Sequence, residues 1–401
     1  MNDEDSFDAL VVGGRAVGAA AALALAAGGR EVALVDRTPP EARADGAPLE
    51  PRVVAVSPGS RRLLEALGAW QHVRAERIAA YDDMRVLAGR GEVRFRAAEH
   101  GLTALGWIVE LAELDGALWR AADRRRRIES VAPAEVARID IGERPAVELA
   151  CGRRLEAGLL VGADGANSRV RDAAGIDVVA HHYNQRAVVA HLETAGDNPG
   201  TAWQRFTDLG PLALLPLPEG RSSLVWSVAD ADARRLLEYD HDAFLETVAE
   251  HCGEPPFGAF TGATRRHALP LIRRRSKPLA VDRTALVGDA ARSVHPLAGQ
   301  GLNLGLGDVA ALVDALADVR AGDDPAPALG RYARRRYSDS ALVAGGIHVL
   351  NETRGAGELG NLALGAGFTA MRFARPARDL FVRRACGLNE VRPAVAWLEG
   401  R

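Results

Sequence analysis

Phe7-Asp8-Ala9-Leu10-Val11-Val12-Gly13-Gly14-Arg15-Ala16-Val17-Gly18 runs from an apolar strand straight into a glycine turn. An Ala/Leu-rich helix follows to Ala27, and a second apolar strand, Glu31 to Val35, ends at Asp36. Strand, turn, helix and strand within about 30 residues is the opening unit of a doubly wound parallel sheet. Set against the pattern G-x-G-x-x-G, Gly13 and Gly18 fill the first and third places and Arg15 stands at the second. The first glycine makes the tight turn, the second admits a pyrophosphate to the backbone, and the third lets the helix pack close to its strand. Asp36 closes the second strand 18 positions after Gly18, where a ribose-hydroxyl acceptor belongs. Alone, this interrupted fingerprint is equally compatible with an ordinary strand–helix turn.

Outward from that unit, helices are expected at Ser57 to Leu67 and Leu111 to Arg125, with hairpin-like strands at Glu135 to Asp140 and Ala146 to Ala150. From Gln185 to Val228 the pattern changes to alternation between turn signals. Strands near Ala187–Leu192, Ala202–Thr207, Leu212–Pro216 and Ser222–Val228 make an antiparallel sheet. Helices resume at Asp242 to Cys252 and, after the strand Thr284 to Val287, from about Leu302 to Val319; the remainder from Pro327 reads as helical, interrupted at Pro376. The fold class is therefore α/β: a doubly wound, Rossmann-like dinucleotide domain interrupted by an antiparallel-sheet domain, with a helical C-terminal tail. The expected boundaries place the dinucleotide domain at 1–75, 99–178 and 266–340, the substrate-domain strands at 76–98, the antiparallel sheet at 179–265, and the tail at 341–401.

Composition narrows the class further. The 401 residues are 48% hydrophobic and 26% charged, which excludes disordered and fibrous chains. A net charge of −3 argues against a general nucleic-acid binder. The 42 glycines cluster instead of repeating, which suggests close approach of backbone to a ligand. Cys151, Cys252 and Cys386 lack metal or redox spacing and are expected as buried small hydrophobes in a reducing cytosol. His181, His182 and His295 likewise show no metal-ligand spacing, so no metal is assigned. No secretory signal opens the sequence, and its longest apolar run, Ala16 to Ala27, falls short of the roughly 18 residues of a membrane span.

Two further motifs carry chemistry. Leu160-Val161-Gly162-Ala163-Asp164-Gly165-Ala166-Asn167-Ser168-Arg169 is a strand ending in an Asp-Gly turn and a helix cap, a combination that many α/β proteins contain. Leu286-Val287-Gly288-Asp289-Ala290-Ala291-Arg292-Ser293-Val294-His295-Pro296-Leu297-Ala298-Gly299-Gln300-Gly301-Leu302-Asn303 places Gly-Asp after a strand and Gly-x-Gly at a helix start. The free N–H groups of such a helix start suit an anion or an electron-rich ring.

In this order and spacing the three motifs resemble the FAD-dependent aromatic hydroxylases, the single-component flavin monooxygenases. The segment Gly210 to Pro218, Ser223-Leu224-Val225-Trp226, and Arg52 with Ser57, Gly59 and Ser60 narrow the similarity to the ubiquinone-biosynthesis hydroxylases, over roughly Phe7 to Leu388. The resemblance implies that Gly13, Gly14 and Gly18 surround the FAD pyrophosphate, that Asp36 with Arg37 serves the adenosine end, and that Arg52 lies along the cofactor. It implies that Asp164 and Gly165 help to hold FAD, and that Gly288 and Asp289 meet the ribityl chain. Pro296 and Gly299, with Gln300, Gly301, Leu302 and Asn303, would line and position the flavin ring. Reduced by NADPH or NADH, the flavin would react with dioxygen to a hydroperoxide that hydroxylates a polyprenylated phenol, the protein supplying position and dryness. Alternatives are a hydroxylase of another aromatic, and a weakly FAD-binding, non-catalytic relative that supports a quinone-biosynthesis assembly.

Two departures motivate the second alternative. Arg15 adds bulk where the backbone should meet phosphate, although its charge could pair with the same anion, and Ala112 stands where the family usually has Arg. The expectation is weakened FAD binding, with Arg15→Gly and Ala112→Arg raising occupancy. Trp203, Phe206, Leu215 and Trp226 are expected to wall an apolar substrate pocket, with core packing as the competing reading. Arg124–Arg127, Arg273–Arg275 and Arg334–Arg336 read as solvated faces or partner patches. Phe368, Met371, Ala374, Ala377 and Phe381, interleaved with arginines, suit either packing on the FAD domain or peripheral contact of a cytoplasmic protein with an anionic membrane. Other quinone-biosynthesis enzymes are expected partners; nucleic acid is not.

Overall fold

The computed structural model describes residues 5–41, 44, 46–89, 91–254, 256–293, 300–337 and 375–400. Five short strands, Thr284–Leu286, Leu160–Gly162, Ala9–Val12, Val32–Val35 and Ile128–Val131, lie side by side in that order and all run parallel. Ala280–Val281 adds an antiparallel edge. The first four are buried along their whole length, with helices packed on the sheet and Val147, Leu149, Leu155 and Ala157 of a separate four-stranded sheet sharing the same apolar core. Chain order reverses about Ala9–Val12, whose neighbours are Val32–Val35 on one side and Leu160–Gly162 on the other. That reversal opens a crevice at the carboxyl end of Ala9–Val12, beside Gly13.

Helix α1 (Ala16–Ala27) buries Ala16, every residue from Gly18 to Ala22 and the four that follow. Such an alanine-rich helix has no polar face to show solvent, so it is sandwiched: α3 (Leu111–Asp123) and α7 (Gln300–Ala315) both pack on it. Helix α2 (Pro58–Ala66) starts on Ser57, whose hydroxyl accepts from the Ser60 N–H at 3.3 Å, with proline at its first position.

A second, nine-stranded sheet carries the expected strands at Thr201–Phe206, Pro211–Pro216 and Ser222–Ala229. Asp177–Thr194 is much longer than its apolar alternation indicates, because its first half pairs with His267–Lys277 and stays exposed. His267–Lys277 and Arg292–Ser293, assigned from sequence to the dinucleotide domain, belong to this second sheet. Asp83–Ala88 and Gly91–Arg96 join it, whereas Ile78–Tyr81 forms a separate three-stranded sheet with Val53–Val56 and Gly106–Glu110.

The two faces of the large sheet differ. One packs Val188, Leu192, Trp203, Leu212, Leu224 and Trp226 against α5 (Asp230–Glu238) and α6 (His241–Cys252). The other turns Leu215 toward Ala55 and Ile108 of the three-stranded sheet, and Val189 toward Leu271. His191 ties that face to the first domain: its Nε2 lies 2.8 Å from the Glu50 carbonyl, and burial lowers its pKa.

Of the tail, Leu388–Glu399 packs back on α2 and α7, and Gly59 donates its N–H to the Cys386 carbonyl at 2.8 Å. A Cβ at Gly59 would stand 2.5 Å from the Gly387 carbonyl carbon, so the approach requires glycine. Arg378 is held at 2.7 Å by Glu99. These contacts favour packing for the described part; Phe368, Met371 and Ala374, and the side chains of Ala377 and Phe381, lie outside the described residues. Cys252 and Cys386 are buried thiols, but Cys151 is exposed on a turn, against expectation. Among the described residues no helix is long and apolar enough to cross a membrane.

Candidate functional site

The glycine turn is as tight as its spacing implies. Gly13 has φ +100°, and a Cβ there would lie 2.4 Å from the Ala163 carbonyl oxygen. A Cβ at Gly18 would stand 1.7 Å from the Gly13 carbonyl oxygen, so α1 can approach its strand only with glycine at that place. Arg15 differs: it is the residue before α1, with φ −70° and ψ 179°, ordinary extended backbone. Nothing in the local conformation therefore demands glycine at 15, and its side chain is largely exposed.

Three side chains hold this turn. Asp36 accepts the Gly14 N–H with one carboxylate oxygen and the Thr38 N–H with the other, at 2.8 Å. Each oxygen keeps an acceptor site, so Asp36 can still receive a ribose hydroxyl. Trp119 of α3 donates its indole N–H to the Gly14 carbonyl. Asp115, one turn earlier on α3, accepts the Ala16 N–H at 2.7 Å and ion-pairs with Arg15 at 3.3 Å. Asp115 thus caps α1 from another helix, a task the Arg15 side chain leaves undone. Burial pushes its carboxyl up to about 6, against the pull of Arg15, the Ala16 N–H and Arg52. Sequence reasoning missed Asp115 and Trp119; their i, i+4 spacing on α3 put them on one face, but nothing in the sequence aimed that face at the glycine turn.

The third motif forms the far wall. Gly288, with φ +60°, opens a short 3₁₀ turn to Ala290, and a Cβ there would stand 3.1 Å from the Val17 side chain of α1. Its N–H is taken by Asp308 at 3.1 Å. Asp308, fully buried on α7, also accepts from Arg292 and Arg336, both at 2.7 Å. Arg336, from a cluster expected on the surface, is thereby a core residue, because its charge is matched inside. Asp289 is exposed at the mouth, yet enough protein surrounds its carboxyl to raise its pKa, with Arg52 and Arg274 opposing. Arg52 is an exposed guanidinium with no ion pair among the described residues, and its charge acts on both Asp115 and Asp289. It therefore lies close enough to act on both carboxylates.

Other predicted residues have local duties. The Asp164 carboxylate accepts the Ser168 hydroxyl and the Arg169 and Val170 N–H groups, capping α4 (Arg169–Ala173), beside an open Gly165 at φ +83°. Asn303 joins α7 to the strand before α2, accepting from Ser57 N–H at 3.0 Å and donating to the Ala55 carbonyl at 2.8 Å. Gln300, Gly301 and Leu302 form the first turn of α7, and a Cβ at Gly301 would meet open space. Arg37 is exposed beyond Asp36. Pro296 and Gly299 lie outside the described residues.

The expected pocket wall does not assemble. Trp203 and Trp226 belong to the core under α5 and α6, and Phe206 packs with Phe95 and Cys386. Side chains two apart on a strand share a face, but alternation alone does not tell which face the cofactor domain covers. Leu215 faces the three-stranded sheet, and Phe206, on the same face of the large sheet by register, packs in the cluster of Phe95 and Tyr81.

The crevice suits a dinucleotide carrying an extended polyol and a flat ring: a glycine-tight helix start for phosphate, a carboxylate at the strand end, a free guanidinium between, and an exposed Asp289 beyond. Residues 6–344 match the family described as FAD binding domain. The chain is 36% identical over 345 residues to 3-demethoxyubiquinol 3-hydroxylase of Escherichia coli, covering 84% of this chain and 87% of that one. It is 34% identical over 355 residues to the mitochondrial ubiquinone biosynthesis monooxygenase COQ6 of Homo sapiens, covering 76% of each. Among solved structures, pqsL of Pseudomonas aeruginosa superposes with a TM-score of 0.73 at 22% identity, over 90% of this chain and 99% of that one, a likeness of fold.

Proposed function

The chain belongs to the FAD binding domain family, and from that membership we propose that it hydroxylates the aromatic ring of a polyprenylated phenol in ubiquinone biosynthesis, using FAD, dioxygen and NADPH or NADH. The observation that carries the proposal is the match to two ubiquinone-ring oxygenases over three quarters or more of the chain, combined with a crevice whose donors fit FAD. Bound FAD supplies the redox chemistry that activates dioxygen for transfer to an electron-rich ring.

The chain's own residues bind, orient and exclude water. Gly13, Gly14 and Gly18 bring backbone to the pyrophosphate; Asp36 receives the adenosine ribose, with Arg37 at the rim. Arg52 and Asp289 bracket the ribityl stretch, and Gly165 and Gly301 leave room beside it, with Leu302 packed behind against the core. Pro296 and Gly299 are assigned to the ring side from the sequence motif. The substrate ring is assigned to the sheet face bearing Leu215, Val189 and Val225, which keeps Leu215 and Phe206 of the expected set on its side and leaves out Trp203 and Trp226. The apolar part of that face, Leu215, Val189 and Val225, lies beside His191 and is backed at Leu215 by the three-stranded sheet, so it suits a prenylated ring kept away from water. Peripheral contact with a membrane follows from the class of substrate, not from any described helix.

The test is direct. Flavin content is measured on the purified chain, then NAD(P)H oxidation with and without a polyprenylphenol precursor, and the product is weighed by mass spectrometry. Substrate-stimulated oxidation with a product heavier by one oxygen supports the proposal. A flavin-free protein that leaves the precursor unchanged overturns it.

A further inference from the structure

Asp115 poses a problem for an anion site. Its carboxylate, on a residue only 3% exposed, sits against the Ala16 N–H at the start of α1. The partial positive charge of that helix start is what attracts a pyrophosphate. We infer that Arg15 and Asp115 form a proton-coupled clamp for the FAD pyrophosphate: Arg15 is a guanidinium ligand to it, and Asp115, which competes for the same helix start, takes up a proton when the cofactor binds.

The charges around Asp115 can be named. From the turn before α1 comes Arg15 at 3.3 Å, largely exposed and so able to swing from Asp115 to an incoming phosphate. From the segment before the strand Val53–Val56 comes Arg52. Asp36 is committed to Gly14 and Thr38 on the far side of the turn. On α3 itself, Glu113 points away and is held by Arg74 and Arg120. Two guanidinium groups match the two negative charges of a dinucleotide pyrophosphate. An ionised Asp115 beside them would leave one surplus negative charge in a buried place, and a proton removes it. Burial already raises the Asp115 carboxyl to about 6, so the proton is within reach near neutrality. The extended backbone at 15 removes the conformational objection to a side chain there, which reverses the sequence expectation for Arg15→Gly.

This inference rests on the α1 start being the cofactor's pyrophosphate site. FAD dissociation constants are measured by flavin fluorescence on the full chain freed of flavin, between about pH 6 and pH 8. One coupled proton weakens binding by up to about tenfold per pH unit above the free carboxyl's pKa. Asp115→Asn, which still offers Ala16 an acceptor oxygen, should bind about tenfold or more tighter at the upper end with no pH slope. Arg15→Met should bind more weakly than wild type at every pH. Calorimetry of the wild type in two buffers of different ionisation heat reads proton uptake without any variant, and close to one proton per FAD is expected near pH 7.5. Zero uptake with a flat pH profile overturns the clamp while leaving the FAD reading intact. Failure to bind FAD at any pH overturns both.

Discussion

Asp308 is the residue whose loss should damage the protein most for its size. It is fully buried on α7, and one oxygen accepts from both Arg292 and Arg336 at 2.7 Å while the other accepts the Gly288 N–H at 3.1 Å. Breaking a buried ion pair by removing one partner costs about 3–5 kcal/mol, because a charge is left without compensation. Here two guanidinium groups depend on one carboxylate. Arg336 retains the Leu304 carbonyl at 3.2 Å and Glu390 at 3.6 Å, so most of the penalty falls on Arg292, which already has one buried N–H₂ without a partner. Asp308→Ala should therefore lower stability by about 4–5 kcal/mol, roughly a thousandfold or more in the folded-to-unfolded ratio. Urea unfolding followed by tryptophan fluorescence measures it, provided the slope of the transition stays constant. Replacing the group together, Asp308→Leu with Arg292→Met and Arg336→Met, should recover most of the loss, since apolar substitutes of similar volume are tolerated where a lone charge is not. The same Asp308→Ala should weaken FAD binding, because Gly288 at φ +60° loses the acceptor that pins it beside Asp289. An Asp308→Ala protein within about 1 kcal/mol of wild type refutes the reasoning, for the ion cluster would then contribute no more than a surface pair.

Gly18→Ala puts a Cβ 1.7 Å from the Gly13 carbonyl oxygen, and relieving that overlap must push α1 off its strand; lost flavin binding and about 1–3 kcal/mol of destabilisation are expected by absorbance and urea titration. Asp115→Asn should stabilise the flavin-free chain increasingly as pH rises. The folded carboxyl titrates near 6 against about 3.8 unfolded, so the folded state holds more protons between those values and its stability falls as pH climbs through them; thermal melts across that window should show a variant that gains on wild type, and parallel curves would contradict it. Trp226→Ala should cost about 3–5 kcal/mol of stability and leave the KM for the prenylphenol near wild type, whereas Leu215→Trp should raise KM with little change in melting; the opposite pattern would restore Trp226 to the pocket.

The parallel sheet was readable from sequence because its information is local. Apolar runs bounded by glycine, at the length of one strand–helix–strand unit, permit few arrangements, and Gly13, Gly18 and Asp36 take the places their spacing implies. What failed was information that depends on partners far along the chain. Asp177–His182 gives no strand signal of its own: it is exposed on both faces and is extended because residues about a hundred positions later pair with it. Trp203 and Trp226 lie on strands as their alternation implies, and the structure takes the core reading of the two that alternation leaves open, since alternation fixes which residues travel together and not what covers them.

Arg15 shows the same limit at a single position. Read along the chain, it is a glycine replaced by the bulkiest cation, and the inference of damage follows from the neighbours in sequence. Read in space, it is one half of a pair whose other half, Asp115, lies a hundred residues away on α3. Either substitution alone is unfavourable in an anion site: an arginine there crowds the turn, and a buried carboxylate there repels phosphate. Together they cancel charge, cap α1 at Ala16, and leave a guanidinium exposed at the crevice mouth. The departure at Arg15 is thus intelligible only with Asp115. For the same reason, reverting Arg15 to glycine by itself should harm the cofactor site, because it would strand a buried carboxylate opposite the pyrophosphate.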